Sequence, residues 1–347
     1  MAQAGGGQYS RGCHPINRAA QRASQGSKSF NELKVLKKAT VLGFFWLQAA
    51  LAALTGAPCA IERGAAIGEH VWLLCQQQEL LLSADAGKTW RAKRLPSEVK
   101  FRAIVFLDSR HGFIAGDGGT LYATEDGGQS WRQVPVPTQD NLTSIYFVGK
   151  FGWIVGWTGV ILHSTDGGNV WVRQESGVRH GLESVFFVDP QHGWAVGWAG
   201  TILRTQDGGR SWEKARTGAA FWSLSSVYFK DTLHGWAVGF NGLILRSQDG
   251  GVSWQAQPAP VQAWLTSIFF DRAGRGWIAA ENDILLSEDG GQSWKIIPVE
   301  DALFLHQVLP LKEALLAVGQ FGVLAKDSHS LQFRVLPIRT GNQVSTS

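Results

Sequence analysis

The sequence predicts an all-β chain: one seven-bladed β-propeller with Asp-box hairpins, preceded by an N-terminal signal or anchor helix. Three observations predict it. An octet recurs about every forty residues. Each interval between octets reads as four short strands. The composition is ordinary except for 42 Gly and 16 Trp in 347 residues, the mark of many tight turns and many large apolar anchors.

The octet runs Ser83–Trp90, Thr124–Trp131, Ser164–Trp171, Thr205–Trp212, Ser247–Trp254 and Ser287–Trp294. A decayed seventh copy lies between Asp327 and Phe333. Its third position is Asp85, Asp126, Asp166, Asp207, Asp249 or Asp289, spaced by 41, 40, 41, 42 and 40 residues. A glycine at the fifth position supplies the positive φ of a tight hairpin. The Asp carboxylate can accept backbone amides across the turn, and the Trp folds back beneath it. Each of these aspartates is therefore expected to be structural.

The unit around Asp207 shows the strands best. Leu182–Val188, Trp194–Gly197 and Thr201–Thr205 are three strands rich in β-branched and aromatic residues, and Trp212–Ala215 opens the fourth. Four antiparallel strands per forty-residue repeat is a propeller blade. Seven such units fill residues 61–340, with 341–347 as a tail. The weak run Ile61–Ile67 stands where the first strand of blade one belongs, and residues after Phe333 are candidates to overlap it and latch the ring.

Residues 1–60 form a separate leader. They hold seven basic residues and one acid, so residues 61–347 carry a net charge of −2 and lack the basic footprint of a nucleic-acid binder. Lys34, Lys37 and Lys38 precede an uncharged apolar run from Val41 to Leu54, followed by small residues. That order is a secretory signal. The uncharged stretch 39–60 is also long enough to span a bilayer, so a retained anchor is the alternative. Pro58 directly before Cys59 fits a lipid-modified cysteine poorly. Only Cys75 is certain to stay with the exported domain, so no internal disulfide is expected and packing is to hold the fold.

Catalysis finds little support. A glycosidase of the usual kind needs two carboxylates flanking one bond. The acids outside the octets mostly repeat: Asp108, Asp189, Asp231 and Asp271 all follow a first strand and read as turn residues. Tyr146 and Tyr228 occupy the repeat position that Phe186 and Phe269 hold elsewhere, which argues for packing. His111, His192 and His234 belong to three different blades and cannot readily converge on one metal. No catalytic residue, metal or cofactor is expected.

Trp153, Trp194, Trp236 and Trp277, with Phe113 in blade two, begin the second strands and should pack between blades. Trp157, Trp198, Phe240 and Phe321 lie in the turn after that strand, where core packing explains a large ring less well. The run His192–Gly197, repeated as His234–Gly239 and followed by the third strand and the octet, resembles the Ycf48/Hcf136-like propellers, known as photosystem II assembly factors. The resemblance covers residues 61–340. It implies a non-enzymatic, exported, monomeric scaffold that binds membrane-protein complex subunits on the lumenal side of thylakoids, or an envelope or transport complex in a non-photosynthetic bacterium. It also implies an arginine patch, for which Arg204 and Arg246 hold equivalent third-strand sites, while His163 stands there one blade earlier.

Antiparallel strands place the octets and the His-Gly turns on one face of the ring. The second-to-third turns and the blade connections share the other, where the repeats diverge. That face is the expected partner surface. It gathers Trp157, Trp198, Phe240 and Phe321, and the connections add Arg179, His180, Arg216, Phe221, Trp222 and Trp264.

Overall fold

The computed structural model describes residues 59–217, 222–299, 304–312, 314–320, 322–327 and 332–338. The signal or anchor segment, Phe221, Phe321, most of the decayed octet and the tail lie outside the described residues.

Among the described residues, seven sheets form in chain order, each from one contiguous stretch and each built on four antiparallel strands. Blade one comprises Ile61–Ile67, His70–Cys75, Glu79–Ser83 and Arg91–Arg94. Blade four comprises Leu182–Phe187, Gly193–Gly197, Ile202–Thr205 and Glu213–Lys214, within a residue or two of the sequence reading. The first strands touch one another all the way round, blade seven against blade one included, and so form the inner wall of a closed ring.

The repeat explains how blades adhere. The Trp that opens a second strand stacks on a Phe that ends the next blade's first strand. Trp153 lies 3.5 Å from Phe187 and Trp194 lies 3.5 Å from Phe229, ring centroid to centroid. The indole N–H then donates to a glycine carbonyl of the next blade's octet: Trp72 to Gly127, Trp153 to Gly208, Trp194 to Gly250 and Trp236 to Gly291, at 2.9–3.1 Å. In blade two Phe113 keeps the stacking, on Phe147, but has no N–H to give.

The octet hairpin behaves as its sequence requires. In blade four Asp207 accepts from the Thr205 hydroxyl (2.8 Å), the Ser211 amide (3.0 Å) and the Ser211 hydroxyl (2.6 Å). Gly208 and Gly209 take φ of 75° and 88°, a region that penalises any side chain. Partial burial pushes these carboxyls up, but the hydroxyl and amide donors outweigh it, so Asp85, Asp126 and Asp207 titrate at about 2. A folded pKa below the unfolded value, about 3.9, contributes stability that is complete above that value and lost as pH falls toward 2. The melting temperature is therefore expected to hold down to about pH 4 and to drop steeply between pH 4 and 2. A melting curve unchanged at pH 2.5 would contradict this role for the octets.

Among the described residues, those after Phe333 reach blade one by packing and not by strand pairing. Arg334–Leu336 pairs with its own third strand, Val323 to Ala325, and does not overlap the first strand of blade one. Closure comes instead from a buried cluster at the seam, in which Ile61, Val71 and Leu73 of blade one meet Leu309, Leu316 and Val323 of blade seven, with Ile338 added from beyond the last strand. Gln307 also accepts the Gly64 amide across the seam at 3.1 Å.

The cysteines correct the sequence reading outright. Cys59 and Cys75 form a disulfide, across 16 residues of sequence, and both are buried in the seam cluster. Cys59 belongs to the propeller and not to the leader, and its sulfur is not free to carry a lipid.

Candidate functional site

On the face opposite the octets, each second strand in blades two to five ends in a single 3₁₀ turn: Asp117–Gly119, Trp157–Gly159, Trp198–Gly200 and Phe240–Gly242. The turns are fastened to the connection entering the same blade. Trp157 N donates to Asn141 O, Trp198 N to Gly181 O and Phe240 N to Ser223 O, at 2.8–3.0 Å. Their middle residues Thr158, Ala199 and Asn241 take φ of 53–59°, the left-handed region that side chains normally avoid. The aromatic at the head of each turn is thereby held on rigid backbone.

These rings form an arc. Trp157 and Trp198 lie 5.6 Å apart, and Phe240 lies 5.4 Å from Trp264. Arg102 of blade two covers the outer side of Trp157 at 4.8 Å from the ring centroid. Trp198, Trp222 and Phe240 are 42–48% exposed, although each is large and apolar. Arg179 and His180 are exposed on the connection that enters blade four.

Inside the arc lies the mouth of the central channel, which the sequence reading did not single out. At the start of the first strands stand Glu62, Arg102, Glu183 and His306, where other blades carry Thr143, Ser225 and Thr266. Glu183 accepts the Trp198 indole N–H at 2.6 Å. Burial pushes the Glu183 carboxyl up, against the Trp198 bond and the charges of Arg63 and Arg102. Arg102 pairs with Asp117, and Lys100 pairs with Glu62 at 3.0 Å. Burial lowers His306 to about 4, with Arg63 adding to the effect, so its imidazole is neutral at physiological pH. The signal for these residues in the sequence was charge at a position that is otherwise a small hydroxyl.

Arg204 and Arg246, the third-strand arginines implied for a patch, lie next to the octets, and Arg216, expected on the aromatic face, runs along the outer edge of blade five. Arg204 immediately precedes the octet of blade four and pairs with Glu213 at 2.7 Å. Arg246 lies against the Trp236 ring at the same point of blade five. Arg216 is the larger departure. Its segment, Arg216–Thr217, adds a parallel fifth strand to the outer edge of blade five, beside Ser253 of that blade's octet. The connection from blade four therefore first follows the rim near the octet face before it enters blade five.

The other candidates behave as turn and packing groups. His111, His192 and His234 each place Nδ1 within 2.8–3.0 Å of the aspartate three residues earlier. Tyr146 packs 4.9 Å from Phe186, and burial pushes its hydroxyl up to about 12.

Comparisons with known proteins agree with this architecture. The family model described as photosynthesis system II assembly factor YCF48 matches residues 83–179 and 219–307. No curated protein matches the chain. Among solved structures, one titled YCF48 bound to D1 peptide is similar, with a TM-score of 0.58 at 22% identity, covering 70% of this chain and 82% of that one. YCF48 from Cyanidioschyzon merolae is similar with a TM-score of 0.53 at 20% identity, covering 62% and 75%. A streptogramin B lyase shares the fold with a TM-score of 0.66 at 12% identity, covering 76% and 92%. The octets, the seven-blade ring and the family match over more than half of the chain lead to one assignment: this chain belongs to the photosystem II assembly factor YCF48 family.

Proposed function

We propose that the chain is a non-catalytic, extracytoplasmic scaffold that docks a reaction-centre polypeptide of photosystem II onto the face of its 3₁₀ turns. The arc of Trp157, Trp198, Phe240 and Trp264, with the exposed Trp222 on the connection into blade five, carries this reading. Exposed aromatic rings on rigid backbone, with arginine close by, are the residue types that dominate binding energy at protein interfaces. Family membership and the solved structure of YCF48 bound to D1 peptide support the choice of partner. The buried Cys59–Cys75 bond supports an oxidising compartment, the periplasm or the thylakoid lumen. The chain acts as a monomer in this reading.

The test is a paired titration with a reaction-centre peptide. Trp198→Ala is expected to weaken binding roughly 30-fold, about 2 kcal/mol, with an unchanged melting temperature. Arg110→Ala, in the exposed turn beside the octet of blade two, is expected to leave the affinity unaltered. Equal binding by wild type and Trp198→Ala would overturn the assignment of the face.

A further inference from the structure

The channel contains a charge that its surroundings leave unmatched. One residue beyond the mouth, the first strands place Arg63, Ala103, Ser144, Ser184, Ser226, Ser267 and Gln307 at corresponding positions. Six blades supply small or neutral side chains there, and blade one alone supplies a cation. Among the described residues, Arg63 makes one hydrogen bond, to the Glu62 carbonyl at 3.0 Å, and has no carboxylate within ion-pair distance. Glu62 is paired with Lys100, and the near oxygen of Glu183 is taken by Trp198. Burial lowers the pKa of Arg63; the charges of Glu62 and Glu183 act against that, and Arg102 acts with it. Arg63 is half-buried, and a guanidinium on a narrow channel wall with most of its donors unused is a ready partner for an anion.

Apart from Ala103, the rest of the layer consists of donors, and the one carboxylate that lines the cavity, Glu183, has its near oxygen held by Trp198. Ser144, Ser226 and Ser267 each accept a backbone amide of the next blade, from Val185, Ile268 and Val308, at 3.2–3.3 Å. That leaves each hydroxyl its own O–H to offer the channel. Gln307, whose oxygen is engaged by Gly64, keeps its amide N–H groups. His306 lines the same cavity, and its buried Nε2 has no hydrogen-bond partner. The cavity holds about 150 Å³. At about 30 Å³ per water, that is room for a tetrahedral oxyanion and a few waters, but not for a peptide.

We propose that this constriction is a binding site for a small free oxyanion of the phosphate or sulfate class, held by Arg63 and the ring of serine hydroxyls. The site is distinct from the aromatic face and does not depend on the partner bound there. It gives Arg63 the counter-ion that the repeat does not supply, and it bridges first strands around the ring.

The test uses the full chain and inorganic phosphate, titrated calorimetrically at constant ionic strength in chloride. Wild type is expected to take up one equivalent saturably, with sulfate competing and acetate competing weakly. Arg63→Met should weaken uptake at least ten-fold and Ser184→Ala several-fold, while Arg216→Met, a surface cation, should bind as wild type does. The Ser184 hydroxyl makes no hydrogen bond among the described residues, so its variant keeps the test decisive if Arg63→Met folds poorly. Absence of saturable uptake by wild type overturns the proposal. So does undiminished uptake by a folded Arg63→Met, or by Ser184→Ala if Arg63→Met does not fold.

Discussion

Trp194→Ala is expected to cost the propeller about 3–5 kcal/mol, the usual range for emptying a buried tryptophan site. The ring is 2% exposed, stacks on Phe229 and donates to Gly250 of the following blade. Its loss opens a cavity at a blade interface and orphans an octet carbonyl together. For a domain of this size the melting temperature should fall by roughly 10 °C. Trp194→Phe restores the stacking without the N–H, as Phe113 does naturally in blade two, and should cost only about 1 kcal/mol. Thermal melts of the two variants separate packing from the hydrogen bond. Equal losses would show that the indole hydrogen bond, and not the ring volume, binds the blades.

Removing the seam disulfide has the second large effect. Cys59 and Cys75 are separated by 16 residues, and cross-linking a loop of that length stabilises by about 3 kcal/mol in the chain-entropy account. Cys75→Ser should therefore melt roughly 6–12 °C below wild type. A reducing agent should lower the wild-type melting temperature to that of the variant and leave the variant unmoved. A chain that begins after Cys59 should already melt at the lower temperature. Identical melts with and without reductant would show that the bond contributes nothing at the seam.

The fold was legible because its signals are local and repeated. The octet carries its own turn geometry, and the period of about forty residues counts the blades directly. Trp153, Trp194, Trp236 and Trp277 were readable as packing groups because they recur at one repeat position, and the structure buries all four. What remained hidden depends on which blades the ring brings together. Cys59 sits at the end of an apolar run and reads as leader, yet the antiparallel register sets Ile61 opposite Cys75 and carries Cys59 to it. The path of Arg216 along the rim follows from a parallel pairing with the next blade, which no periodicity within a repeat announces. Arg63 was obscured for a related reason. The first strand of blade one matches the repeat weakly, so its charge could not be aligned with the serines of the other blades until the ring aligned them.

The aromatic face is the central claim, and amide hydrogen exchange of the propeller with and without a reaction-centre peptide tests it most directly. Binding there is expected to slow exchange at 156–160, 197–201 and 239–243, the three aromatic 3₁₀ turns, and in the connections at 178–181 and 222–223. The octet hairpins 124–131, 205–212 and 247–254 should exchange as they do in the free protein. Protection confined to those hairpins, with the turns unaffected, would contradict the account and move the partner to the opposite face.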